Sequence, residues 1–165
     1  MLRKLILFLT ILLLFLFHAK HSNAAENFET AYNVIYTVAE NGNTHVVMRV
    51  GLTNTTSDYY ASAYSIQVGF PRISNVQGVE GKDSLSPKVR KVTEGNIIDV
   101  AFLSRVVGEG KKQNFTISFD TPDIANKQGS IWEVNIPGIS NQEDFKDFTV
   151  SVNVPPSFGK PTYSK

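Results

Sequence analysis

Side chains able to do chemistry are few in this chain, and their absence is as telling as their presence. There is no cysteine among the 165 residues, which excludes a thiolate nucleophile, a thiolate metal site, a disulfide and a lipid-bearing cysteine alike. Two of the three histidines, His18 and His21, fall within the first 24 residues, leaving His45. His45 is out of phase with Val46 and Met48, so it belongs to the solvent face of a strand, with no local acid and hydroxyl to complete a Ser-His-Asp arrangement. A carboxylate pair could serve glycoside hydrolysis, and the candidates are Asp120, Asp123, Glu133, Glu143 and Asp144. They lie mostly in turn-like sequence, where solvated charges and turn caps account for them. Asp120 and Asp123 lack the dense acid spacing of a calcium loop. Gly108-Glu109-Gly110 has no helix after it to complete a phosphate cradle. The expectation is therefore no catalytic residue, no metal ligand and no cofactor.

Three aromatic residues are the candidates for surface binding. Tyr59 and Tyr60 adjoin a polar turn and could contact sugar or peptide; alternatively they mark a strand entering the core. Trp132, the only tryptophan, reads first as a plug between two sheets and otherwise as an exposed platform. Asn54-Thr55-Thr56 and Asn114-Phe115-Thr116 match the glycan acceptor pattern, which matters only in a host that glycosylates it.

These residues must be held by a fold whose size and composition are ordinary. Hydrophobic residues make up 42% and charged residues 19%, enough for one packed domain and too mixed for a multi-span membrane protein. Residues 1–24 have signal-peptide anatomy: Arg3 and Lys4, an apolar run from Leu5 to Phe17, then small residues Ser22 and Ala24 at export-peptidase spacing. Cleavage after Ala24 is expected, with an uncleaved N-terminal anchor as the alternative. The 16 basic residues fall to 13 when Arg3, Lys4 and Lys20 leave with the leader, against 15 acidic ones. No basic bias remains for nucleic acid, and the mature chain is expected outside the cytoplasm, secreted or membrane-anchored. A cysteine-free exported domain of this kind fits a bacterial envelope.

Beyond the leader the pattern is strand after strand. Phe28, Thr30, Tyr32, Val34, Tyr36 and Val38 alternate, Asn41-Gly42 offers a hairpin turn, and Val46, Met48, Val50 and Leu52 resume in phase. Tyr64, Ile66 and Val68 predict a third strand ending before Pro71. Residues 72–95 predict short or edge strands. Ile98, Val100 and Phe102 form another run, and Phe115, Ile117 and Phe119 an apolar face expected to pair back across the Gly108–Gly110 turn. Ile131, Trp132, Val134 and Ile136 should cover that face. A last strand carries Phe148, Val150, Val152 and Val154. The spacing predicts an all-β fold, an immunoglobulin-like β-sandwich of eight or nine mostly antiparallel strands, with the domain over 25–154 and a Pro/Gly/Ser-rich linker or truncated tail over 155–165.

The words VVGEGKKQNFTISFDTPDIANKQGSIWEVNIPGIS and VPPSFGKP, with YNVIYTVAENGNTHVVMRVGLTNTTSDYYASAYSIQVGF before them, resemble the N-terminal extracytoplasmic region of large bacterial membrane proteins with a transglutaminase-like domain. The resemblance spans nearly the whole mature chain. It implies a non-catalytic β-rich region ahead of a papain-like domain that would carry the Cys, His and Asp; no residue here matches that triad. The expected function is a non-catalytic accessory domain, N-terminal in a larger protein, whose partners are downstream domains or cell-envelope components. A free-standing cell-surface adhesion or carbohydrate-binding module is the alternative.

Overall fold

In phase with the alternation of the sequence, nearly every described element is a strand. The computed structural model describes residues 27–137, 145–160 and 162. Eleven strands are present among them: β1 (Phe28–Val38), β2 (Thr44–Asn54), β3 (Ala63–Val68), β4 (Ser74–Glu80), β5 (Asp83–Leu85), β6 (Lys88–Val92), β7 (Gly95–Ala101), β8 (Lys112–Thr121), β9 (Ala125–Gln128), β10 (Ile131–Val134) and β11 (Phe145–Asn153). The count exceeds the expected eight or nine because residues 72–95 hold three short strands and the loop after Thr121 folds into the β9–β10 hairpin. The expected leader and most of the connection before β11 lie outside the described residues. No helix among the described residues is long and apolar enough to cross a membrane.

A six-stranded sheet runs β11-β1-β2-β8-β4-β5, a three-stranded sheet runs β3-β7-β6, and β9 and β10 form a separate ribbon. The two larger sheets pack as a sandwich, and the core between them is what alternation promised. From the wide sheet come Val34, Val46, Phe115, Ile117 and Phe119; from the narrow sheet come Val68, Ile98 and Val100. Aromatic rings carry the contact across: Tyr64 meets Phe115 at 5.3 Å and Phe70 meets Phe119 at 5.9 Å between centroids, distances suited to edge and offset packing.

Two pairings depart from expectation. The β7 and β8 runs, though separated by the Gly108–Gly110 turn, do not form a hairpin: β7 pairs with β3 and β6, while β8 pairs with β2 and β4 in the opposite sheet. The connection passes from one sheet to the other over the edge of the sandwich, with Leu103 and Val107 exposed. Glu80, 7% exposed, fastens this connection: its carboxylate accepts the backbone N–H groups of Leu103 (2.7 Å) and Ser104 (3.1 Å) and the Gln113 amide (2.7 Å). Burial pushes this carboxyl upward, but the bonds to Ser104, Leu103 and Gln113 together outweigh it and hold the group below its ordinary value. The second departure is β11, which joins β1 in parallel rather than antiparallel fashion.

The apolar cover expected from Ile131, Trp132, Val134 and Ile136 is also different. Ile131 is 68% exposed, and the Phe115-Ile117-Phe119 face is covered instead by the narrow sheet with Phe70 and Phe102. Val134 and Ile136 only flank the core.

Candidate functional site

Trp132 is not the plug between sheets. It is half-buried at the end of the β9–β10 ribbon, and its ring stacks on Phe158 with centroids 4.1 Å apart and planes 7° from parallel. Phe158 belongs to a single 3-10 turn, Pro156–Phe158, in the segment expected to be a linker. The edge of the indole lies against the β1–β2 turn. A Cβ on Gly42 would stand 2.9 Å from its Cζ3, and Gly42 has a φ of +86°, so glycine is required there twice over. The Lys127 ammonium sits 5.8 Å from the ring centroid, within cation–π range.

Tyr59 and Tyr60 do not enter the core either. They are 58% and 38% exposed in the loop after β2; the Asn54 amide donates to the Tyr59 carbonyl, and the Arg105 guanidinium lies 5.3 Å from the Tyr60 ring. This loop follows the last residue of β2, whereas Trp132 abuts the turn before its first. Eleven residues of strand separate the two places by roughly 35 Å. The three aromatic candidates therefore cannot form one site.

His45 stands on the outer face of the wide sheet, as its phase predicted, directly across from Asp120. Its Nδ1 is 2.7 Å from Asp120 Oδ1, and the Asn75 amide donates to the other carboxylate oxygen at 2.7 Å. Those two bonds, Asn75 first, hold the Asp120 carboxyl below its ordinary value against the opposing effect of burial. No hydroxyl is bonded to the imidazole among the described residues, so the arrangement is an acid-oriented base without a nucleophile. Asp123 is taken up by Arg72 through both its backbone N–H and its guanidinium, and Glu133 accepts from Gln128. Glu143 and Asp144 lie outside the described residues. Among those described, no three His, Asp or Glu side chains are grouped to hold a metal ion.

Two concavities stand out among the described residues. One, of about 770 Å³, opens between the sheets where the wide sheet outruns the narrow one; Tyr32, Tyr64, Phe145 and Phe148 line it. The Tyr32 and Tyr64 hydroxyls are hydrogen-bonded to each other there, and burial raises the pKa of both. The other, of about 530 Å³, is a hollow on the outer face of the wide sheet. Its floor is the cross-strand pair Ala31–Gly51, flanked in the same row by Asp147 and Asn114; the next row sets Thr149, Asn33, Arg49 and Thr116 side by side. Sequence reasoning passed over these residues because each is simply the polar member of an alternating strand. The only signal was two small residues, Ala31 and Gly51, at outward positions of neighbouring strands.

No family model and no curated protein matches the chain. Among solved structures it is similar to two crystal structures of a mutant M1 zinc metallopeptidase from Deinococcus radiodurans, one of them bound to a Tyr-Ser-Ala substrate. Identities are 19% and 20%, TM-scores 0.41 and 0.42, and each match covers 78% of this chain. The chain spans 33% of the length of those structures. A likeness this slight carries no argument about chemistry.

Proposed function

We propose that the chain is an extracytoplasmic, non-catalytic β-sandwich accessory domain that holds a following domain, or an envelope component, in a set position. The observation that supports it is the Trp132–Phe158 stack. A free linker would leave the sandwich from the end of its last strand; here the Pro155-Pro156 pair and the Phe158 ring bring the chain back onto the body before it departs. Two prolines limit the backbone and the stack fixes one side chain, so the exit is stiff. Stiffness of that kind serves positioning. The resemblance to the N-terminal region of transglutaminase-like membrane proteins supplies the kind of domain that would be positioned, and the leader supplies the compartment.

Because the protein has no cysteine, Thr162→Cys gives a unique attachment point for a spin label or fluorophore. The label should rotate with the whole domain, and the coding frame past codon 165 should continue into a Cys-containing domain. A label that tumbles freely on the otherwise unaltered chain refutes the proposal; noncoding sequence directly after codon 165 removes the following domain and leaves an envelope component as what is positioned.

A second reading, a cell-surface adhesion or carbohydrate-binding module, is favoured by the outer-face hollow, where Asn33, Arg49, Asn114, Thr116, Asp147 and Thr149 are gathered around a bare floor.

A further inference from the structure

Several charged and amide side chains on this surface are engaged with one another. Arg90 bonds Asp99, which also accepts from Ser65; Arg72 holds Asp123; Lys146 pairs with Glu29; His45 and Asn75 share Asp120. In the hollow, six polar side chains stand close together instead. Asn33, Arg49, Asn114, Thr116, Asp147 and Thr149 make no side-chain hydrogen bond or ion pair with the described protein, and the Oδ1 of Asn33 is shut off from the surface without a partner.

The geometry points to a saccharide unit bearing one carboxylate as the ligand of this hollow. The inference rests on the carbohydrate-binding reading and gives it a site and a ligand class; the site is not at Tyr59, Tyr60 or Trp132. The chemistry of the lining selects the ligand. The Asn114 amide and the Thr116 and Thr149 hydroxyls each supply donor and acceptor together, which is what a ring of hydroxyls, themselves both donors and acceptors, requires. Arg49 is the one cation among them and offers a planar fork that a carboxylate matches. Asp147, on the far side of the Ala31–Gly51 floor, accepts from hydroxyls and repels a polyphosphate chain, which sets nucleic acid and phosphate polymers aside. The floor is bare because its two outward positions are Ala and Gly; a Cβ on Gly51 would reach Asn114 Oδ1 at 3.1 Å and nothing else within 4 Å. The volume of about 530 Å³ falls in the range of small-ligand sites.

Calorimetric titration of the full chain tests this with an N-acetylmuramic-acid disaccharide, its methyl ester, the neutral disaccharide of N-acetylglucosamine and a short acidic peptide. The acid should bind about tenfold more tightly than its ester, corresponding to about 1.4 kcal/mol. Arg49→Gln should erase that preference while leaving the ester unaffected. Gly51→Val, which fills the floor on a strand face that accepts a β-branched residue, should abolish both, and Trp132→Ala should change neither. Equal binding of the acid and neutral sugars overturns the carboxylate inference but keeps the carbohydrate reading. Binding of the peptide alone, or of no probe at millimolar concentration, overturns both; saccharide binding that survives Gly51→Val overturns the site.

Discussion

Removing the ring of Phe158 isolates the contact on which the accessory reading rests. The stack of two aromatic rings contributes about 0.5–1.5 kcal/mol beyond the area it covers, and Phe158 is partly rather than fully buried, which puts its transfer contribution near half of the 1.5–3 kcal/mol of a fully buried side chain. Phe158→Ala should therefore cost about 1.3–3 kcal/mol, below the 3–5 kcal/mol for truncating a core aromatic. Phe119, with no exposed surface, is the internal comparison, and Phe119→Ala should reach that larger figure. The assay is urea unfolding followed by tryptophan emission, and here the single tryptophan makes the signal specific to one place. In Phe158→Ala the native emission should shift to the red, because one face of Trp132 becomes wet while the β1–β2 turn still covers part of it. An unchanged native spectrum would mean that the stack does not exist in solution. A loss as large as that of Phe119→Ala would mean that the tail is part of the core and not a clasp upon it.

Two further outcomes test the crossing segment and the tightest turn. Glu80→Gln leaves two backbone N–H groups and the Gln113 amide facing a group that is half donor, at a cost of about 2–3 kcal/mol. Because the Glu80 pKa is lowered on folding, its contribution is complete above the ordinary carboxylate pKa and disappears as pH falls through the lowered value; the urea midpoint of the unaltered protein should drop more steeply than that of Glu80→Gln below about pH 4.5, and parallel curves would remove Glu80 as the cause. At Gly95, φ is +110° and a Cβ would lie 2.1 Å from the Val68 carbonyl oxygen, so Gly95→Ala should lower the thermal midpoint by well over 10 °C, from about 3 kcal/mol or more of strain and clash. Gly81→Ala, with φ of +62° and open space around it, should cost only about 1–2 kcal/mol; equal effects at the two glycines would show that backbone torsion, and not contact, governs both.

What alternation can reveal, it revealed. The β1–β2 hairpin was legible because Asn41-Gly42 sits between two phased runs, and the core face of β8 because Phe115, Ile117 and Phe119 are large and regularly spaced. Their partners were not legible. A two-residue period says which side chains share a face and is silent about what covers it, so Phe119 was assigned to the Trp132 strand when Phe70 was its neighbour. The Gly108–Gly110 turn suggested a local hairpin, yet a ten-residue ladder with β2 outweighs anything a short return to β7 could make. Trp132 was misplaced for a related reason: its partner Phe158 lies in a Pro-rich stretch that composition marks as linker. The hollow was hidden more deeply, since Ala31, Gly51 and Asn114 come from three strands and meet only once the register is known.

That register also ties the hollow to the least supported strand of the sheet. β11 is an edge strand bonded only to β1, and Val150 and Val152, which face the core side beside Val34 and Tyr36, remain 41% exposed because the narrow sheet does not extend so far. Its anchorage comes from Phe145 and Phe148, whose rings meet Tyr32 at 4.9 and 6.0 Å. Two residues three apart on a strict strand would point to opposite faces; the bulge between Thr30 and Ala31 in the β1–β11 register lets both reach the inner side. The same bulge sets Asp147 and Thr149 outward, on the rim of the hollow. Inner-face aromatic packing thus fixes the position of outer-face polar groups through one strand, and loosening Phe148 should disturb the hollow before it disturbs the core around Phe119. An edge strand is the place in a sheet where such coupling costs the fold least, because only one ladder of hydrogen bonds depends on it.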